Sequence, residues 1–165
     1  MLPLPDNPTK KGKCMEWLTR ILTTDAGATG LILRLTLGVM ILPHGLQKTI
    51  GAFGGYGFNG TMDFFTKQMG IPWLFALAAI LAESVGGAAL LFGAGTRLAA
   101  AVVGVTMVVA AVTSHLQNGF FMNWFGQQKG EGIEFHLLAV GIALTLVLVG
   151  GGLASIDALL TGKQQ

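Results

Sequence analysis

Four long apolar stretches dominate the chain, at residues 28–47, 72–93, 96–115 and 135–151. Each approaches the ~20 residues that a helix needs to cross a hydrocarbon core of ~30 Å. Backbone polar groups inside lipid must be satisfied within their own segment, so such stretches form helices. No alternation of period two over about ten residues is present, which argues against a membrane barrel. The fourth stretch is the shortest, and Gly150-Gly151-Gly152 marks its expected end.

Composition supports this reading. Of 165 residues, 52% are apolar and only 11% are charged, too few to cover a soluble globule of this size. So much apolar material also excludes intrinsic disorder. A net charge of +2, spread along the chain, argues against nucleic acid as a partner. The lone Cys14 excludes an internal disulfide, a CxxC pair and a cysteine zinc site. About 26 mostly polar residues precede the first stretch, and no small-residue cleavage site follows it. A retained helix is therefore expected rather than a signal peptide.

The expected architecture is all-α: an integral membrane four-helix up-down bundle with interfacial helices in its loops. Its parts are a segment 1–26, a four-span unit 27–157 and a tail 158–165. Lys10, Lys11, Lys13, Arg20, Arg97 and Lys163 fall on one side, and Lys48, Lys67 and Lys129 on the other. The excess of positive charge predicts cytoplasmic termini and two outer loops, which face the periplasm or cell exterior if the protein is bacterial. Trp17, Leu18, Ile21 and Leu22 suit either a helix lying on the cytoplasmic surface or a basic, solvated anchor.

The first outer loop, 51–60, holds five glycines in ten positions but lacks the GK[ST] ending of a phosphate-binding loop. A tight interfacial turn carrying Phe53, Tyr56 and Phe58 is expected, followed by a short amphipathic helix over 61–70, with a ligand lid as the alternative. The second, 115–134, repeats the style with Phe120, Phe121, Trp124 and Phe125. Together the loops could roof the bundle. Gly38, Gly86, Gly87, Gly104 and neighbouring alanines permit close helix contacts.

Ionisable residues inside a bilayer cost several kcal/mol and need a partner or a task. Arg34 and Glu83 both fall near mid-depth by position, and a buried ion pair between them is expected. Such a pair sets helix register or serves a site. His44, His115 and His136 share the outer level with Gln47, Lys48, Asn118, Glu131 and Glu134. These residues suit interfacial capping, a quinone or small-molecule pocket, or metal or haem ligation. Spacing specifies none of them: there is no HExxH and no CxxCH, and no metal site is assigned.

In order along the chain, Arg34-Leu35-Thr36-Leu37-Gly38, His44-Gly45-Leu46-Gln47-Lys48 and Phe53-Gly54-Gly55-Tyr56-Gly57 resemble the DoxX family of small bacterial membrane proteins. The resemblance continues through Glu83 with Gly86-Gly87, Gly95-Thr96-Arg97, His115 with Asn118-Gly119-Phe120-Phe121, Glu134 and Ser155-Ile156-Asp157. It implies a four-helix inner-membrane protein associated with redox chemistry, the family taking its name from a subunit of a thiosulfate:quinone oxidoreductase. The residues it carries over as candidates are Arg34, His44, Gln47, Lys48, Glu83, Arg97, His115, Asn118 and Glu134. This chain lacks the paired cysteines of some redox-linked relatives, which argues against thiol–disulfide exchange.

Three functions follow as expectations. One is a subunit of a quinone-linked oxidoreductase, with quinone or a small apolar ligand at the outer face. The second is a non-catalytic adaptor or stability factor for an oxidoreductase, and the third a small-solute transporter, weakened by the absence of an inverted repeat. The expected partners are the lipid bilayer and either further copies of the chain or an oxidoreductase subunit.

Overall fold

A computed structural model describes residues 19, 21–24 and 27–162. Helix α1 spans Ala28–Thr49, α2 Gly57–Asp63, α3 Trp73–Phe92, α4 Thr96–Asn118, α5 Glu134–Val149 and α6 Ile156–Thr161. No strand is present among the described residues. The surface helix expected over 15–22 lies largely outside them, as do Lys10, Lys11, Lys13, Cys14, Arg20 and Lys163.

Three helices, α1, α3 and α4, are long and apolar enough to cross a membrane. The 16 residues of α5 rise about 24 Å at 1.5 Å per residue, short of the ~30 Å hydrocarbon thickness. Its ends are set by the loop before Glu134 and by Gly150, whose φ of 82° no β-carbon favours. The helices pack side by side around one apolar core, to which α1 gives Leu37 and Ile41, α3 Leu90, α4 Ala100 and Val103, and α5 Leu146. Ile32, Val39, Leu74, Phe75, Val105 and Leu148 point outward and remain exposed. A lipid environment accounts for that belt; water does not.

The α1–α3 seam runs antiparallel at close range. A β-carbon on Gly45 would stand 2.6 Å from the Glu83 carbonyl carbon, and one on Gly87 3.0 Å from Leu42 Cα. One on Gly38 would meet the Leu91 side chain at 2.8 Å. Glycine at these positions lets the backbones touch, and their pairing sets the register. Residue 83 therefore stands opposite the C-terminal turns of α1, and Arg34 opposite the far end of α3.

One expectation about the loops changes. The short helix starts at Gly57 rather than near residue 61, and passes into a π turn at Phe64–Gln68 before Gly70 reverses the chain at φ 67°. Its Met62 packs on Ala76 and Ile80 of α3. Helix α6 runs across residue 158, with Asp157 and Ala158 buried.

Candidate functional site

The residues singled out in the sequence separate into two groups at opposite ends of the helices. At one end lie the chain termini of the bundle and the tight α3–α4 turn. At the other lie the two long loops.

Arg34 belongs to the first end. It is 2% exposed and its guanidinium is filled by backbone carbonyls. Nε donates to Gly151 O at 2.9 Å, Nη2 to Ala154 O at 2.8 Å and Leu153 O at 3.2 Å, and Nη1 to Leu91 O. Those carbonyls belong to the last turn of α3 and to the chain after α5, where helical partners run out. The expected Arg34–Glu83 ion pair is therefore not formed: the α1–α3 register places the two residues at different depths. Arg97 does similar work, donating from Nε and Nη2 to Thr23 O at 3.1 and 2.9 Å and from Nη1 to Leu148 O at 2.6 Å. Asp157 completes the knot, its carboxylate accepting from Gly95 N at 2.6 Å and Thr96 N at 2.8 Å, the first amides of α4. This is anion capping of a helix N-terminus by a residue distant in sequence. The knot holds four chain segments together and engages all five N–H donors of Arg34.

Glu83 belongs to the loop end. It lies in a π turn, Ala82–Gly86, that interrupts α3, and it is 7% exposed. Its partner is Lys48 from the last turn of α1, in direct contact through Nζ and Oε2. A π turn adds a residue to one helical turn and re-aims the side chains on it; such turns recur at functional sites. A further π turn, Ala111–His115, carries His115.

Lys48 faces Glu83 on one side and a recess of ≈ 280 Å³ on the other. Gln47, Gly54, Gly55, Tyr56, Thr61, Phe64 and Phe65 complete its lining. The glycine-rich loop lies over Gln47, with Gly55 so close that a β-carbon would stand 2.6 Å from Gln47 Cβ. Phe53, a non-glycine residue held at φ 52°, turns its carbonyl to accept from Gln47 Nε2 at 3.4 Å. Left-handed backbone at a bulky residue costs about 1–2 kcal/mol and persists where its surroundings over-determine it. Tyr56, Thr61, Phe64 and Phe65 were not among the sequence candidates. The readable signal was the aromatic pair beside a glycine-rich turn; nothing local showed that it folds back onto the end of α1.

The histidines form a separate cluster. His115 and His136 stack with ring centroids 4.2 Å apart, and His44 lies 6.5 Å from Phe135, which meets His136 edge-on at 5.6 Å. His136 is buried and its Nδ1 has no hydrogen-bond partner among the described residues, whereas His44 is exposed. His115 Nδ1 stands 2.9 Å from Glu131 O, so that nitrogen carries the proton. Asn118 Nδ2 donates to the same carbonyl at 3.0 Å. Glu134 accepts from Met122 N at 3.1 Å, and Glu131 from Asn123 N at 2.6 Å. Asn118, Glu131, Glu134 and His115 thus order the second loop. None of the histidines lines the recess beside Lys48. Among the described residues, no group of three or more His, Cys, Asp or Glu side chains is placed to hold a metal ion.

Comparison with known proteins accords with this arrangement. A protein of Bacillus subtilis (strain 168) named "Putative oxidoreductase CatD" is 28% identical over 127 residues, covering 77% of this chain and 83% of that protein. No solved structure matches the chain. The family model described as DoxX matches residues 29–116, which hold Arg34, His44, Gln47, Lys48, Glu83, Arg97 and His115. The match covers more than half of the chain and includes the recess and the three apolar helices. This chain is a membrane protein of the DoxX family.

Proposed function

We propose that the protein is a redox-associated subunit of a bacterial inner membrane that receives the head group of a quinone in the recess beside Lys48. The observation that carries this reading is the recess itself: a charged, hydrogen-bonding floor of Gln47, Lys48 and Thr61 against aromatic walls of Phe64 and Phe65. A volume of ≈ 280 Å³ lies near the low end of small-molecule sites, about 300–1,000 Å³, and suits a single ring. Lys48 and Gln47 donate to ring oxygens, and the aromatic walls cover the ring's faces. An apolar tail would leave toward the lipid past Phe64, which is 38% exposed.

On this reading all four long helices, α5 included, cross the membrane, the termini and the Arg34 knot face the cytoplasm, and the recess opens at the outer face. The membrane unit comprises residues 27–157. The oxidoreductase named in the Bacillus subtilis relative supports the redox association, and the electron donor or acceptor belongs to a partner subunit. His115, Asn118 and Glu134 serve the site indirectly, by ordering the neighbouring loop, and His44 and His136 stand in the ring cluster beside them.

Quinones quench tryptophan fluorescence, and Trp73 and Trp124 both lie at the loop end. A short-chain benzoquinone titrated into the protein in lipid nanodiscs is expected to quench that emission saturably, and Gln47→Ala to weaken the binding. Quenching that rises linearly without saturation would reject the ligand site and leave the adaptor reading.

A further inference from the structure

Two side chains of the recess carry hydrogen-bonding groups that the rest of the protein does not use. Thr61 is 4% exposed, and its hydroxyl has no partner among the described residues. Lys48 gives one N–H to Glu83 Oε2, and its other N–H groups meet no acceptor among the described residues. The two differ in what they can take: a hydroxyl donates and accepts, whereas an ammonium only donates. Glu83 turns its carboxylate to Lys48 and does not line the recess. We propose that the recess selects the oxidation state of its ring, holding a quinone more tightly than the corresponding hydroquinone, with Lys48 as the selecting residue. This rests on the recess being a quinone site as described above, and it adds which form of the couple is kept.

A quinone and its hydroquinone share a ring and the positions of two oxygens, and differ in what those oxygens offer. A quinone oxygen is a carbonyl with two lone pairs in the ring plane and no proton. A hydroquinone oxygen carries a proton, and part of its electron density is delocalised into the ring, so it accepts poorly. Facing an ammonium, the carbonyl completes a charge-assisted hydrogen bond, roughly twice as strong as a neutral one. The hydroxyl must turn its proton away and presents only a weak acceptor.

Gln47, Tyr56 and Thr61 can each donate to a carbonyl or accept from a hydroxyl, so they serve both forms. The difference between the forms is therefore concentrated on Lys48. One hydrogen bond to a charged group, gained by the quinone and largely lost by the hydroquinone, corresponds to about tenfold or more in affinity. A carboxylate facing the ring would reverse the preference by accepting the hydroxyl proton, and the pairing with Lys48 keeps Glu83 from that position. Tighter binding of the oxidised form also lowers the midpoint potential of the bound ring. For a two-electron couple the shift is about 30 mV for each factor of ten. The reduced ring is then the form that leaves.

The test uses tetramethyl-1,4-benzoquinone, whose methylated positions resist addition of amines and thiols, and its hydroquinone under argon, with the full chain in nanodiscs. The quinone is titrated by tryptophan quenching, and the hydroquinone by its power to displace the quinone and restore the emission. Partition into empty nanodiscs is measured for both forms and removed from the affinities. The unaltered protein should bind the quinone about tenfold or more tightly than the hydroquinone. Lys48→Met combined with Glu83→Gln removes the ammonium without leaving a buried carboxylate unpaired, and the two affinities should then become similar. Thr61→Val keeps the ammonium and should weaken both forms by a similar factor, about two- to fivefold, with the preference intact. An undiminished preference in the double variant, or a hydroquinone bound as tightly as the quinone by the unaltered protein, would overturn the proposal. Saturable binding of both forms with equal affinity sinks the selection and leaves the quinone site standing. Failure of the quinone to bind saturably removes the site itself.

Discussion

Lys48 and Glu83 meet across the α1–α3 seam, one turn from the point where Gly45 lets the two backbones touch. The close approach and the ion pair belong together. The register that brings Gly45 against Ser84 also leaves Glu83 within reach of a long side chain at the end of α1, and of no other cation among the described residues.

The pair should be costly to break from one side. Lys48→Met leaves the buried Glu83 carboxylate without its partner, with an expected loss of about 3–5 kcal/mol, and Glu83→Gln, which keeps an amide oxygen for the partly exposed Lys48, should cost less. The double variant should lose clearly less than the sum of the two. Unfolding of all four proteins in detergent measures the coupling, and simple additivity would show that the contact contributes nothing.

Arg34→Lys tests the knot at the other end. Lysine cannot span the carbonyls of Leu91, Gly151 and Ala154 at once. A loss of about 2–4 kcal/mol is expected from charged hydrogen bonds left unmade. Benzoquinone affinity should be unchanged in the fraction that stays folded, because the recess is remote from the knot.

Two glycines should respond in opposite directions. Gly45→Ala drives a β-carbon into the α3 backbone and should cost about 3 kcal/mol or more. Gly141, in the middle of α5, has open space where its β-carbon would be. Gly141→Ala should be neutral or stabilise by about 0.5–1 kcal/mol through helix propensity. Thermal unfolding in the same detergent compares them directly.

Asp157→Asn keeps the size of the cap on α4 and removes its charge, so the amides of Gly95 and Thr96 lose a carboxylate acceptor. An expected loss of about 1–2 kcal/mol follows from the value of such caps. Hydrogen exchange should show the loosening first at the start of α4.

Much of this fold was legible because lipid imposes a simple rule. Residues 28–47, 72–93, 96–115 and 135–151 were readable as apolar stretches, and their helices end within a few residues of those bounds. A shared level for His115 and His136 was readable too, since the end of one helix and the start of its antiparallel neighbour lie at the same depth. What failed was partner choice in depth. Counting from span ends puts Arg34 and Glu83 at one depth, but the contacts at Gly38, Gly45 and Gly87 decide how α1 and α3 align. The π turns at Glu83 and His115 had no local signature, because an inserted residue changes direction without changing composition. The recess escaped for a related reason: Thr61 and Phe64 reach Lys48 only through the reversal at Gly51–Gly57. Arg34, Arg97 and Asp157 hold helix ends together, a task that position along the chain alone does not reveal.

The most direct measurement of where the ligand sits is photoaffinity labelling with an azido-benzoquinone in nanodiscs, followed by mass mapping of the labelled peptides. Label confined to residues 47–65, and competed away by unlabelled benzoquinone, is the predicted result. Competed label on residues 115–136 instead would move the site to the histidine cluster and contradict the assignment to Lys48 and its recess.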